Sequence, residues 1–425
     1  MARTTVAEQL TLDKMPMLQR HWPAWIARSL TISGVIATIA FAYCVVNPHV
    51  FAPWLYSSHY NVSFLDLLGR INNLKQLHQM GNIYVWNGPE AFTYPPGAIL
   101  FFWPLQFLSL RFWEYFSVLA SLWAMSVSFA IVLHKLRQVA WRNALAVGFW
   151  MSIIFAAVYP PMMSDLVWGN ISTVVLAATV IDFFVIPQKY RGAVTGLMAA
   201  VKIYPVIFII WWAWRKRWTE VRSALIACLS LTAVAGALWW NSAYRFFATQ
   251  VFGGGITQRF RGPSLNSSSI FTFFTRPPFH GGDAPLWLVG VISVCLLVLA
   301  FRGAARLVND RKMMSAFIIL SAIMRIIMPV AWDHYFVFIP FLIFVILELG
   351  WEQLLSKVSA IGMALLVMPW VFLRVSHPTP HGPIQALNNF LEQNVILAIM
   401  VALVIASNFY RSDSEAIMEP QGIDQ

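Results

Sequence analysis

Asp66 is the acidic residue whose surroundings best suit acid–base chemistry. It lies in Ser63-Phe64-Leu65-Asp66-Leu67-Leu68, a stretch that is otherwise almost entirely apolar. A carboxylate held at such a place can act as a general base toward a hydroxyl group. The alternative is that Asp66 caps a helix or lies in a solvated loop, where it would do no chemistry.

Two further pairs of residues could bind a ligand. Asp333 and His334 open an apolar segment, and a carboxylate beside an imidazole can bind hydroxyl or phosphate groups. The alternative for this pair is a helix cap at a membrane boundary. Gly169 precedes Asn170, whose amide can bond either a ligand hydroxyl or a neighbouring helix.

Four cations are candidates for binding a phosphate: Lys202, Arg325, Arg259 and Arg261. Arg325 could equally bond a backbone carbonyl. The two other arginines lie in a glycine-rich loop that extends from Gly253 to Gly262, but no Gly-Lys-Ser sequence comes after it. We therefore exclude a nucleotide-binding P-loop.

Composition excludes a soluble globular protein. Of 425 residues, 59% are hydrophobic and 11% charged, whereas soluble proteins carry about 25% charged residues. Mean hydropathy is +0.66. A net charge of +11 indicates loop orientation and anionic lipid headgroups rather than nucleic acid. Three cysteines in apolar segments give no disulfide framework or zinc site.

The apolar runs predict an all-α polytopic membrane protein with about 10 to 12 transmembrane or re-entrant helices. A single membrane domain would cover residues 30–410, between cytoplasmic tails at 1–29 and 411–425. A cleaved signal peptide is the alternative for the first run, but its basic leader is long, which favours a retained helix. The predicted spans are 30–48, 113–134, 143–160, 166–186, 221–240, 285–301, 313–331, 334–349, 356–373 and 392–410.

Two apolar stretches are treated differently because of their charges. If residues 98–110 crossed the membrane, Lys135 and Arg137 would lie outside, against the positive-inside rule. We therefore place this stretch on the outer surface. Between Gly192 and Trp214, Pro205 removes a helix hydrogen bond, which predicts a broken, re-entrant pair of helices lining a cavity near Lys202.

This topology places both termini in the cytoplasm and the candidate polar residues at the outer face. The long outer loops would be residues 49–95 and 241–285. A transporter is expected to carry its ionisable residues near the bilayer midplane, at a repeat interface. The predicted arrangement instead favours chemistry on a lipid-borne substrate.

In this order the motifs resemble glycosyltransferase family 87, polyprenol-phosphate-sugar-dependent membrane enzymes of the GT-C superfamily. The resemblance extends from about Asp66 to Pro340. Its segments are Asp66, Tyr94-Pro95-Pro96, Pro104-Leu105, Gly169-Asn170, the run from Gly196 to Pro205 that contains Lys202, Asn266-Ser267-Ser268 and Ala331-Trp332-Asp333-His334.

The Lys202 segment and the Trp-Asp-His triplet are similar to the mannosyltransferase branch. The chain departs from the family pattern in two places, at Gly169-Asn170-Ile171-Ser172 and at Tyr335, where a second histidine is often found. The resemblance implies a GT-C fold in the bacterial plasma membrane with an extracytoplasmic active site. Mannose would pass from polyprenyl-phosphate-mannose, with inversion, to a glycolipid or lipoglycan such as a phosphatidylinositol mannoside, forming an α-1,2 linkage.

The resemblance also implies roles for the candidate residues. Asp66 would be the catalytic base. The substrate-binding residues would be His334, Asp333, Tyr94, Asn170 and Asn266, and the donor phosphate-binding residues would be Lys202, Arg259, Arg261 and Arg325. Neither a metal nor a cofactor is expected, and the partners would be the donor, the acceptor and membrane lipids. The alternatives are an arabinofuranosyltransferase using polyprenyl-phospho-arabinose, a lipid-linked-sugar flippase or transporter, and a structural assembly partner.

Overall fold

The computed structural model describes residues 23–47, 64–84, 92–252, 268–275, 286–329, 331–367 and 383–411. Within these ranges the regular elements are helices, with no strand. They are α1 Ala24–Val46, α2 Leu65–Met80, α3 Gly97–Phe102, α4 Leu110–Arg137, α5 Trp141–Val158, α6 Pro160–Val167, α7 Ser172–Phe184, α8 Ala193–Val201, α9 Val206–Trp214, α10 Trp218–Leu238, α11 Trp240–Arg245, α12 Ile270–Thr275, α13 Leu286–Asn309, α14 Met313–Ile327, α15 Leu342–Leu349, α16 Leu354–Val367 and α17 Pro383–Ser407.

Five of these helices are long and apolar enough to cross a membrane: α1, α4, α5, α10 and α13. They have 18 to 28 residues and mean hydropathies of 1.4 to 2.3, and a bilayer core takes about 20 residues of helix. The pair α6 and α7 adds a sixth span if it is taken as one bent crossing. The predicted all-α, polytopic class is confirmed, and the chain is a multi-pass membrane protein.

The predicted span over residues 166–186 is not one continuous helix in the structure. α6 ends at Val167, α7 begins at Ser172, and the two helices meet at an angle of 111°. Gly169 makes the turn with φ of +65°, a conformation that glycine adopts without steric cost. Asp165 then accepts hydrogen bonds from the backbone N–H groups of Ser172 and Thr173, which satisfies the N-terminus of α7.

A second break lies where the sequence predicts it, between α8 and α9. α8 ends at Val201, Lys202 has an extended backbone, and Pro205 directly precedes α9. α8 packs closely against α10, since a Cβ atom on Gly196 would collide with the backbone carbonyl of Ala224. This packing fixes the position of α8. Lys202 lies at the break between α8 and α9.

Residues 98–110, which the sequence predicts not to cross the membrane, form only short helical turns before α4 begins at Leu110. α3 is followed by a 3-10 turn, Trp103–Gln106, and together they are too short to cross a bilayer. α3 packs against α8, because a Cβ on Gly97 would lie 2.6 Å from the carbonyl oxygen of Ala200. This contact places Tyr94, just before α3, on the same side as the break at Lys202.

An aromatic cluster joins the three helices next to these breaks. Phe317 of α14 lies 5.2 Å from the ring of Phe208 on α9 and 5.5 Å from that of Phe183 on α7. All three side chains are buried. Aromatic pairs at such distances stabilise a fold by more than the area they bury accounts for. The cluster therefore fixes α7, α9 and α14 relative to one another.

Candidate active site

Asp66 and Arg70 lie one turn apart near the start of α2. Arg70 Nη2 donates to Asp66 Oδ2 at 3.3 Å and to the Tyr94 hydroxyl at 2.6 Å, while Nη1 donates to the carbonyl oxygen of Gly169 at 2.6 Å. The Arg70 side chain is 3% exposed and that of Asp66 is 33% exposed. The pair therefore has a buried cation and an accessible carboxylate, although the sequence around Asp66 is apolar.

Tyr94 supports Arg70 as a neutral phenol. Burial raises the pKa of Tyr94 to about 12, so its hydroxyl keeps its proton at neutral pH. The Arg70 guanidinium lies 4.8 Å from the Phe102 ring centroid and 5.1 Å from that of Tyr94. Cations are attracted to aromatic faces at these distances, which fixes the guanidinium where it meets Asp66.

Asn170, at the bend between α6 and α7, connects four parts of the chain. Its Nδ2 atom donates to Asp66 Oδ2 and lies 3.0 Å from His334 Nε2. Its Oδ1 atom accepts from Lys202 Nζ at 2.8 Å and from Ser172 Oγ at 3.1 Å. Asp66 and His334 thus meet at a single amide nitrogen, so one substrate can reach both.

Two buried cations, Lys202 and Arg325, adjoin two tyrosines at this group. Lys202 Nζ also donates to Ser172 Oγ at 2.7 Å and lies 4.4 Å from the Tyr335 ring centroid. Arg325 Nε donates to the Tyr335 carbonyl at 2.7 Å, and its guanidinium lies 4.1 Å from the Tyr204 ring centroid. Arg325 therefore makes the carbonyl contact, and it holds the turn that carries His334.

The structure brings together five of the ten predicted site residues in one hydrogen-bonded group. These are Asp66, Tyr94, Asn170, Lys202 and His334. Arg325 is connected to this group through the Tyr335 ring, which also contacts Lys202. The backbone of Asp333 is in the turn Asp333–Phe336, but its side chain lies outside the described ones. Outside the described residues altogether are Asn266, Arg259 and Arg261.

Two functional positions were missed by the sequence reasoning. Arg70 follows Asp66 at the i,i+4 spacing that brings two side chains onto one helix face, a signal that could have found it. Tyr335 was seen only as a departure from a family pattern, yet its ring contacts Lys202 and Arg325. No local signal indicates that contact.

The second carboxylate oxygen of Asp66 is available to a substrate as far as the described residues go. Both hydrogen bonds that they make to this carboxylate go to Oδ2, and none of them bonds Oδ1. Two donors on one oxygen fix the plane of the carboxylate. Oδ1 can therefore accept a proton from a hydroxyl group that lies within hydrogen-bond reach.

The candidate site lies where helices of a polytopic membrane protein are interrupted. Such a position is suited to substrates that carry a lipid. Comparison with known sequences specifies the class. The profile of glycosyltransferase family 87 matches residues 92–330, more than half of the chain. The chain belongs to this family and is a glycosyltransferase.

Individual relatives are distant but cover most of the chain. One is the polyprenol-phosphate-mannose-dependent alpha-(1-2)-phosphatidylinositol pentamannoside mannosyltransferase of Mycolicibacterium smegmatis, 24% identical over 83% of this chain and 84% of that protein. Another is the polyprenol-phosphate-mannose-dependent alpha-(1-2)-phosphatidylinositol mannoside mannosyltransferase of Mycobacterium tuberculosis, 24% identical over 66% of this chain and 67% of that protein. No solved structure matches the chain.

Proposed function

We propose that this protein transfers mannose from polyprenyl-phosphate-mannose to a hydroxyl group of a glycolipid or lipoglycan of the phosphatidylinositol mannoside type. The observation that carries the proposal is the Asp66 carboxylate, which is 33% exposed and whose Oδ2 atom accepts hydrogen bonds from Arg70 and Asn170. The names of the relatives support the donor and the acceptor class. The linkage would be α-1,2, and the reaction would take place at the extracytoplasmic face, with both termini in the cytoplasm.

In the proposed reaction Asp66 removes the proton of the acceptor hydroxyl. The acceptor oxygen then attacks the anomeric carbon of mannose from the face opposite the phosphate, and the bond between that carbon and the phosphate oxygen breaks. The polyprenyl phosphate leaves with the electron pair, and the configuration is inverted. Because the leaving group is already an anion, no acid has to protonate it.

Stabilising the departing phosphate is the second requirement of this reaction. We propose that His334 contributes to it, and its contact with Asn170, which also bonds the proposed base, supports this role. We also propose Arg259 and Arg261 as ligands of the phosphate. Asn266 and Asp333 are proposed as substrate-binding residues. Lys202 and Arg325 already have partners within the protein, and we propose that they act on the phosphate as buried positive charge behind the site.

The test is sugar transfer by the full-length protein in membranes, with labelled polyprenyl-phospho-mannose and phosphatidylinositol mannoside acceptors. We expect labelled product whose new bond is α-1,2, as shown by cleavage with a linkage-specific mannosidase. Transfer from polyprenyl-phospho-arabinose alone would show that the donor sugar is arabinose and would contradict the proposed mannose donor. Movement of donor across vesicle membranes without product would indicate a flippase and overturn it.

The membrane face can be tested separately. A cysteine introduced at Lys75, an exposed residue on the helix that carries Asp66, would be modified in intact cells by a membrane-impermeant thiol reagent. We expect labelling from outside the cell. Labelling only after the cells are opened would place the site at the cytoplasmic face and contradict the proposed orientation.

A further inference from the structure

The side-chain amide of Asn170 can adopt only one orientation. Its Oδ1 atom faces three donors, which are the Lys202 ammonium at 2.8 Å, the backbone N–H of Ile171 at 2.7 Å and the Ser172 hydroxyl at 3.1 Å. Ammonium and backbone N–H groups can only donate. Rotating the amide by half a turn would set its NH₂ group against them and its oxygen against the Asp66 carboxylate.

This orientation determines where the proton of His334 lies. The Asn170 NH₂ group faces His334 Nε2 at 3.0 Å, and an amide NH₂ group has no lone pair with which to accept. Nε2 must therefore be the acceptor, without a proton. A neutral imidazole carries its hydrogen on the other ring nitrogen, which is Nδ1. A doubly protonated ring would place two donors against each other.

We infer that Asn170 holds His334 in the tautomer protonated on Nδ1, and that His334 takes part in transfer as a hydrogen-bond donor to a substrate oxygen and not as a proton acceptor. The inference rests on the proposed function. His334 is half-buried, and Nδ1 has no partner among the described residues. A donor at this nitrogen suits a phosphate or sugar oxygen, while the proton of the acceptor hydroxyl goes to Asp66.

Lys202 is then a positioning residue for His334. It does not contact the imidazole through a hydrogen bond, but two of its N–H groups fix Asn170 Oδ1 and Ser172 Oγ. Lys202 is 5% exposed, and its ammonium lies 4.4 Å from the Tyr335 ring centroid. Removing the ammonium takes one of the three donors from the amide oxygen, which lowers the cost of turning the Asn170 amide and therefore of changing the His334 tautomer.

The tautomer can be read directly from nitrogen resonances. Full-length protein in lipid nanodiscs would be labelled with ¹⁵N at Nδ1 of its nine histidines, and the His334 signal would be found by its absence in His334→Gln. We expect a pyrrole-type signal, which reports a protonated Nδ1. A pyridine-type signal, or one typical of imidazolium at neutral pH, would overturn the inference.

The role of Lys202 is tested in the same spectrum. Lys202→Met is expected to change the His334 signal or to split it between two types, while Lys75→Met, at an exposed position on α2, leaves it unchanged. Lys202→Arg restores a donor and is expected to restore part of the signal. A Lys202→Met spectrum identical to wild type would show that Lys202 does not position His334 through Asn170.

Two substitutions of His334 separate its two nitrogens in the transfer assay. The amide nitrogen of asparagine can occupy the place of Nδ1, whereas that of glutamine lies near Nε2. We expect His334→Asn to retain about tenfold more transfer than His334→Gln, because one hydrogen bond to substrate survives. Equal losses, or a more active glutamine variant, would contradict the donor role at Nδ1.

These measurements distinguish a failure of the inference from a failure of the proposed function. The nitrogen spectrum requires no substrate, so it tests the tautomer even if the protein transfers another sugar. Conversely, mannose transfer with a pyridine-type His334 signal would leave the proposed function intact and refute the tautomer. The change in KM for donor or acceptor in His334→Asn identifies which substrate supplies the oxygen.

Discussion

Gly169 and Gly81 provide a matched test of the bend that builds the site. Both have a left-handed backbone, with φ of +65° and +66°. An alanine Cβ at Gly81 would meet nothing within 4 Å, whereas at Gly169 it would lie 2.9 Å from Leu67 Cβ and 3.1 Å from Phe64 Cδ1. The two variants therefore share the backbone strain and differ in the collision.

The expected magnitudes follow from this difference. A left-handed alanine costs about 1 to 2 kcal/mol at either position. Overpacking adds about 1 to 3 kcal/mol at Gly169 alone, because Leu67 Cβ is close to the backbone and cannot rotate away. Gly169→Ala is thus expected to lose about 2 to 5 kcal/mol of folding free energy, against about 1 to 2 kcal/mol for Gly81→Ala.

Activity should separate the two variants further. Relief of the collision must shift α2 or the bend, and Gly169 lies beside Asn170 and accepts a hydrogen bond from Arg70. We expect Gly169→Ala to lose most transfer activity and Gly81→Ala to keep it, measured at matched amounts of folded protein. Thermal unfolding in nanodiscs gives the stability order. Equal unfolding temperatures and equal activities would refute the packing described at the bend.

Three other predictions concern the same site. Arg70→Lys keeps the charge but cannot reach Asp66, Tyr94 and Gly169 together, so transfer should fall at least about tenfold; wild-type activity would contradict the three-way contact. Tyr94→Phe should lower the rate without moving the pH profile between about pH 6 and 9, because the pKa of about 12 keeps Tyr94 protonated there; a shifted profile would refute this. The proposed mechanism uses no metal ion, and transfer is expected to persist in EDTA; inhibition reversed by added metal would contradict that.

The sequence predicted much of the membrane architecture, because hydropathy and proline act locally. The run from Gly192 to Trp214 contains its own interruption at Pro205, and the structure breaks the helix at that place. The bend between α6 and α7 is not predicted from the sequence, because one of its causes is a contact with residues far away along the chain. Gly169 packs against Leu67, about a hundred residues earlier in the chain, and that contact leaves no mark in the local pattern.

The same difference between local features and long-range contacts applies to the candidate site. Asp66, Asn170, Lys202 and His334 could be chosen from their residue types and from topology. Their hydrogen bonds could not, since Asn170 reaches Asp66 across 104 positions and His334 across 164. Sequence reasoning therefore named Lys202 as a ligand for phosphate, whereas its described hydrogen bonds are to Asn170 and Ser172.

The role of Asp66 as the base is tested most directly by Asp66→Asn. Transfer of labelled mannose in membranes would be compared with wild type and with Glu352→Gln, an exposed acid in the turn after α15, at matched levels of folded protein. We predict that Asp66→Asn loses at least about a hundredfold in rate, while Glu352→Gln keeps the wild-type rate. Undiminished transfer by folded Asp66→Asn would contradict the mechanism proposed for this site.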